Sequence, residues 1–283
     1  MYAEDVPQVS VKTDLPPRVK RVGPPPWIDM GPLTRTAAYG AKWRREDAFP
    51  GRQVWADEIE RLLSFLVSQD QFGRFLPRLR GNGRTRGAAL AEARVAFFLY
   101  RNGFRITSWE PPSPNGRRGE FEVSWQDGKL IFVEVKAPDW QGELSPEEKT
   151  GARKVQGKSV DLEGRYVDPL SQPLTVITNN ALPKLTPDRP NLIVIADDLF
   201  LSPVSVPFLA HRMDEFLKRP ENACIGGVLF FVAEWCGGEI EYLIRFHENK
   251  AAYKTCRIPS NVRSGFNAST EADYNRKVRS YWA

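Results

Sequence analysis

Apolar side chains recur at helical spacing over residues 53–79, where Trp55, Ile59, Leu62, Leu63, Leu66, Phe72, Phe75 and Leu76 are set among Asp57, Glu58, Glu60 and Arg61. The pattern predicts one long or two short amphipathic helices. Arg80-Gly81-Asn82-Gly83-Arg84 breaks it, and a second helix is expected over 85–101, closed by Asn102-Gly103. The period then changes from 3.6 to 2. Strands are predicted over 104–109, 120–125 and 129–136, the last two joined by a tight turn at Gln126-Asp127-Gly128. Ser145-Pro146-Glu147-Glu148 is a helix start, so a helix is expected over 145–158. Residues 191–196 (Asn-Leu-Ile-Val-Ile-Ala) form a continuous apolar run of strand length, as in strands covered on both faces. A helix over 206–219 and a hairpin of 227–235 with 240–246 complete the series. Helices that precede, interrupt and follow short strands predict an α/β fold with a mixed central β-sheet flanked by helices.

Residues 1–50 carry Pro16-Pro17, Pro24-Pro25-Pro26, Pro32 and Pro50 without a sustained apolar period, which predicts a proline-rich arm that Trp27, Tyr39 and Trp43 can dock onto the body. The expected division is this arm, a helical extension over 51–80, an α/β core over 81–250 and a basic C-terminal segment over 251–283. At 283 residues, 41% hydrophobic and 11% aromatic, the chain can bury a sizeable core. It has no apolar run of membrane-spanning length, and Met1-Tyr2-Ala3-Glu4-Asp5 does not open a signal peptide, so a cytoplasmic protein without a membrane partner is expected.

Composition narrows the chemistry. Cys224, Cys236 and Cys256 lack zinc-site spacing and read as reduced structural thiols, and His211 and His247 are the only histidines. Carboxylates must therefore supply most of the ligands to any bound metal, which points to Mg²⁺ or Mn²⁺. The net charge of +5 is unevenly spread, with Arg74, Arg78, Arg80, Arg84, Arg86, Arg94, Arg101 and Arg105 opposed in that stretch by Glu92 alone. A second basic run follows Glu248. Clusters of this kind suit a polyanionic partner, the competing reading being a solvated basic surface.

The most informative positions are Glu134 and Lys136, opposite charges two apart in the otherwise apolar strand 129–136. Side chains two apart on a strand share a face, and burying them is costly unless they are paired or bind something. Glu92 lies three, four or seven residues from Ala88, Ala89, Val95, Ala96 and Leu99, on an apolar helix face; a boundary glutamate that caps an arginine is as good a reading as a functional one. Glu120 and Glu122 share a face of the strand that the tight turn folds back beside Glu134.

The order of helix acid Glu92, strand acid at Gly119-Glu120-Phe121-Glu122, glycine turn and Val133-Glu134-Val135-Lys136 resembles the PD-(D/E)XK nuclease superfamily, over residues 85–235. The resemblance implies a restriction-endonuclease-like core and Mg²⁺-dependent hydrolysis of phosphodiester bonds, DNA favoured over RNA. It implies Glu92, Glu120, Glu134 and Lys136 as catalytic, the three acids also holding metal. The chain departs from the family where Gly119-Glu120 replaces Pro-Asp, which leaves Glu122 as a rival for the strand acid. Members often carry glutamine or lysine on the following helix, for which Lys154, Gln156 and Lys158 are candidates. Arg80, Arg84, Arg86, Lys154 and Lys158 are the expected nucleic-acid contacts.

Two other readings stand beside the nuclease: a nuclease-fold module that binds nucleic acid or protein without cutting, and a structural domain in which Glu134 and Lys136 form an edge-strand ion pair. The N-terminal region could equally serve a protein partner or homo-oligomer. Trp109, Trp125 and Trp140 are candidates for base stacking, although such residues are more often core. Phosphate-loop, dinucleotide-binding and nucleophile-elbow motifs are absent from the sequence.

Overall fold

The computed structural model describes residues 30–38, 53–125, 128–137, 153–155, 158–160, 166–167, 170–196, 206–236, 239–263 and 266. Most of the expected proline-rich arm lies outside them. The short helix α1 (Pro32–Ala38) is followed by α2 (Gln53–Ser68) and α3 (Phe72–Leu79), so the first helical stretch is two helices. The break is at Asp70, whose φ of 55° is left-handed. Helix α4 (Gly83–Arg101) starts where Asn82 accepts a hydrogen bond from the Thr85 amide at 2.9 Å, and ends before Gly103, whose φ is 88°.

Strands β1 (Arg105–Trp109), β2 (Phe121–Ser124) and β3 (Leu130–Lys136) follow as an antiparallel meander. The helix expected over 145–158 is not formed where the structure describes that stretch. Instead β4 (Arg153–Val155), β5 (Lys158–Val160) and β6 (Tyr166–Val167) make a separate three-stranded antiparallel sheet. The helical expectation rested on a start signal with no apolar period behind it, and Arg153–Val155, Lys158–Val160 and Tyr166–Val167 pair as strands instead.

The chain returns through α5 (Ser171–Val176), a π-helical turn (Ile177–Ala181) and a 3₁₀ turn (Leu182–Lys184) to β7 (Asn191–Ile195), then α6 (Val206–Leu217), β8 (Gly227–Cys236) and β9 (Glu239–Glu248). The main sheet has six strands in the order β1-β2-β3-β7-β8-β9, parallel from β3 through β8 and antiparallel at both ends. This is the mixed α/β sheet that the element order predicted.

Period-2 alternation divides the buried residues of the inner strands between two cores. Ile131, Val133, Val135, Leu192, Val194, Leu229 and Phe231 face a cluster built with α2, α3 and α4. Phe132, Ile193, Ile195, Val228 and Phe230 face the other, built with Ile177, Ala181, Leu185, Leu209, Met213 and Phe216. Glu134 and Lys136 lie in phase with Phe132 and so project on the second face. Ile258, Val262 and Phe266, from the expected basic C-terminal segment, pack into the first cluster. Among the described residues no helix is long and apolar enough to cross a membrane.

Candidate active site at the carboxyl end of the third strand

Glu134 is fully buried within β3, and Lys136 ends the strand, its carbonyl accepting the Ala196 amide at 2.7 Å. The Lys136 ammonium lies 2.5 Å from Glu134 Oε1 and 3.7 Å from Glu120 Oε1. A second ammonium, that of Lys184, lies 2.6 Å and 3.6 Å from the same two atoms. Two carboxylates and two ammoniums thus meet at one point, at the carboxyl ends of parallel strands where α/β folds commonly place ligands.

Register decides between the two strand acids. Phe121 pairs with Val133 and Glu122 with Phe132, so one further step sets Glu120 opposite Glu134. Glu122 is turned to Arg189, which also donates to the Pro112 carbonyl at 3.1 Å and lies over the Phe132 ring at 5.0 Å. Glu120 just precedes β2, and the glycine before it is required by packing. A Cβ on Gly119 would stand 2.3 Å from Phe132 Cζ.

Lys184 was not among the expected residues. Pro173 and Pro183 interrupt any sustained period in 171–184, so the segment suggests no site. One signal was available: Ile177, Ala181 and Leu185 recur every four residues, and they anchor the turn to the second core. The candidates Lys154 and Lys158 stand instead on β4 and β5, where Lys154 pairs with Ser159 and Val155 with Lys158.

Glu92 is almost wholly buried on α4, but both of its oxygens are engaged from α3: Arg74 donates to Oε1 at 2.7 Å and Arg78 to Oε2. Arg74 also reaches Glu110 at 2.9 Å, at the end of β1, where Glu110 has a left-handed φ of 49°. Burial first, then the nearby Glu120 carboxylate, push Glu92 up to about 7, while Arg78 and Arg74 pull it down. The helix acid therefore lies within electrostatic range of Glu120 while two arginines of α3 hold its oxygens.

Burial likewise raises Glu134; Lys136 opposes this, Glu120 adds to it and Lys184 opposes it. For Lys184, burial works to lower the pKa, but Glu134 and Glu120 outweigh it and the net shift is upward. Both ammoniums crowd Oε1, and Glu134 Oε2 is buried with no hydrogen-bond partner among the described residues. An orphaned carboxylate oxygen in a buried site is costly. Among the described residues no group of three or more His, Cys, Asp and Glu side chains is placed to hold a metal. The donor set is the pair Glu120 and Glu134. That pair fits Mg²⁺ or Mn²⁺, since Mg²⁺ is commonly held by one or two carboxylates with water and phosphate oxygens completing the shell.

The expected phosphate contacts divide. Arg84 is exposed at the start of α4, and Arg80 is exposed but donates to the Thr36 carbonyl at 2.9 Å. Arg86 is buried and turns back to the Gly81 carbonyl at 3.4 Å, so its role is internal and it is not a surface contact. Trp109 packs edge-on to Phe75 and Trp125 lies against Phe104, so both are half-buried against the first core; Trp140 lies outside the described residues.

No protein-family model and no curated protein matches this chain. Among solved structures, the chain is similar to SfsA of Pyrococcus furiosus in complex with Ca²⁺, at 19% identity over 57% of this chain and 62% of that one, with a TM-score of 0.24. The match spans less than two thirds of the SfsA chain.

Proposed function

We propose that this protein is a metal-dependent nuclease that hydrolyses phosphodiester bonds, with DNA as the favoured substrate and Mg²⁺, or Mn²⁺, as the cation. The observation that carries the reading is the convergence of Glu120, Glu134, Lys136 and Lys184, with a fully buried Glu134 whose Oε2 has no hydrogen-bond partner among the described residues. Glu120 and Glu134 would hold the cation. When bound, such a cation polarises a phosphoryl oxygen and acidifies a coordinated water.

The chain's own residues supply the rest. Lys136, at the mouth of the strand, orients the attacking water. Lys184 approaches from the opposing turn and donates to a non-bridging phosphate oxygen as its charge develops. Both ammoniums can exchange Glu134 Oε1 for substrate without a backbone movement, since each is the flexible end of a long side chain. Glu92, locked to Arg74 and Arg78, fixes α3 against α4 beside Glu120 and braces the strand acid.

A second reading is favoured by one detail: the two ammoniums already balance the two carboxylates. On that reading the fold binds nucleic acid and does not cut it. Cleavage of supercoiled and linear DNA in Mg²⁺, Mn²⁺ or chelator separates the two, alongside calorimetric titration with Mn²⁺. The nuclease reading expects Glu134→Ala and Lys136→Ala each to lose at least about 100-fold in rate, and Lys184→Ala about 10- to 100-fold, with nucleic-acid binding retained. Undiminished cleavage by the Glu134 and Lys136 variants would overturn it. Binding without cleavage and without Mn²⁺ uptake would establish the second reading.

A further inference from the structure

Between β1 and β2 the chain makes a ten-residue excursion, residues 110–119, whose sequence Glu-Pro-Pro-Ser-Pro-Asn-Gly-Arg-Arg-Gly no catalytic role has absorbed. It is a stiff ribbon. The Glu110 amide donates to the Glu120 carbonyl at 2.9 Å, the Gly119 amide to Pro111 at 3.0 Å and the Ser113 amide to Arg117 at 3.0 Å, with Pro112 bridged to Arg118. The tip is a 3₁₀ turn, Pro114–Gly116. Pro111, Pro112 and Pro114 each fix one backbone dihedral, so little freedom is left to lose when a ligand binds.

The ribbon is tied to the candidate site from both sides. It leads directly into Glu120. Its tip packs against the 3₁₀ turn that carries Lys184, and Arg189 clasps the Pro112 carbonyl while pairing with Glu122. Ribbon, strand acid and Lys184 turn are therefore positioned as one unit. Arg117 and Arg118, on the return arm of the ribbon, are both exposed. Arg118 makes a long hydrogen bond to the Glu110 carbonyl, at 3.4 Å, and neither guanidinium has an ion-pair partner among the described residues. That sets them apart from Arg74, Arg78, Arg94 and Arg189, each of which is committed to a glutamate.

We propose that the 110–119 ribbon is a backbone clamp: Arg117 and Arg118 grip nucleic-acid phosphates flanking the one presented to Glu120 and Glu134. The clamp rests on the nucleic-acid reading above and adds to it the surface that sets the strand in register. Guanidinium groups pair with phosphates bidentately, and two of them on a preorganised ribbon hold a strand without reading its bases.

The test is binding of labelled duplex and single-stranded DNA by fluorescence anisotropy over a range of salt. It compares the wild-type chain, Arg117→Ala/Arg118→Ala, Arg117→Lys/Arg118→Lys and, as a control that removes one exposed arginine away from the ribbon, Arg105→Ala at the opposite end of β1. The clamp predicts that the double alanine variant binds about 10-fold more weakly and that its slope of log affinity against log salt is shallower by about two, with thermal unfolding unchanged. The lysine variant keeps the slope. Loss with duplex alone identifies a duplex ligand, and loss with both forms places the contact on one strand's phosphates. An alanine variant no weaker than Arg105→Ala overturns the clamp and leaves the nuclease reading standing. A wild-type chain that binds neither DNA overturns both.

Discussion

A buried carboxylate must be neutralised, protonated or matched to a cation, and Glu92 and Glu134 meet that demand differently. Among the described residues, Glu134 has two ammoniums on one oxygen and no hydrogen-bond partner on the other, and Glu92 has one guanidinium on each. On the proposed reading Glu92 belongs to the scaffold of the site, and its titration is a stability effect. Its folded pKa of about 7 lies above the ordinary 4.5, so the folded chain holds a proton that the unfolded chain has released. That contribution is fully present below 4.5 and is lost as pH rises to 7, a fall of about 3 kcal/mol if no other group compensates. Urea denaturation at stepped pH should show this descending slope in the wild-type chain and not in Glu92→Gln. An equal slope in both would assign it to other groups.

At the scale of elements, two contacts set how helix and sheet present the site. Gly119 lets Phe132 lie against the backbone just ahead of Glu120. A methyl there would force the ring or the strand aside, so Gly119→Ala should cost about 1–3 kcal/mol and weaken Mn²⁺ uptake beyond what partial unfolding explains. Paired thermal melts and calorimetry separate the two effects. On the far side of the first core, Glu58 of α2 receives Arg94 through both oxygens at 2.8 Å and the Tyr242 hydroxyl at 2.9 Å, joining α2, α4 and β9. Glu58→Ala strands a largely buried guanidinium and should cost about 3–5 kcal/mol, whereas Tyr242→Phe, which removes one of three bonds, should cost about 1 kcal/mol. A chemical-denaturation series that ranked the two the other way would show that Tyr242 carries the joint.

Over the whole molecule, the sheet is most protected where it is parallel. Strands β3 and β7 are covered on both faces and bordered on both sides, so amides of Ile131–Val135 and Leu192–Ile195 should exchange slowest, at rates set by global unfolding. The separate sheet β4–β6 has strands of three, three and two residues, too short for independent stability, and should exchange much earlier. Hydrogen-exchange mass spectrometry resolves this, and slow exchange in β4–β6 would mean that the small sheet is integral to the core. Local order wrote much of this fold into the chain: period 3.6 marked α2 to α4, period 2 marked the meander, and an unbroken apolar run marked β7, because each follows from which side of one element meets water. Glu134 and Lys136 were legible for the same reason, as charges out of place in a buried strand. Three features were settled only by packing. Whether Glu120 or Glu122 faces Glu134 depends on cross-strand register, Glu92's partners come from a different helix, and Lys184 arrives from a proline-broken turn whose path is set by the second core. Periodicity along the chain reports burial; which charges meet depends on contacts between elements distant in sequence, and only the tertiary structure makes those.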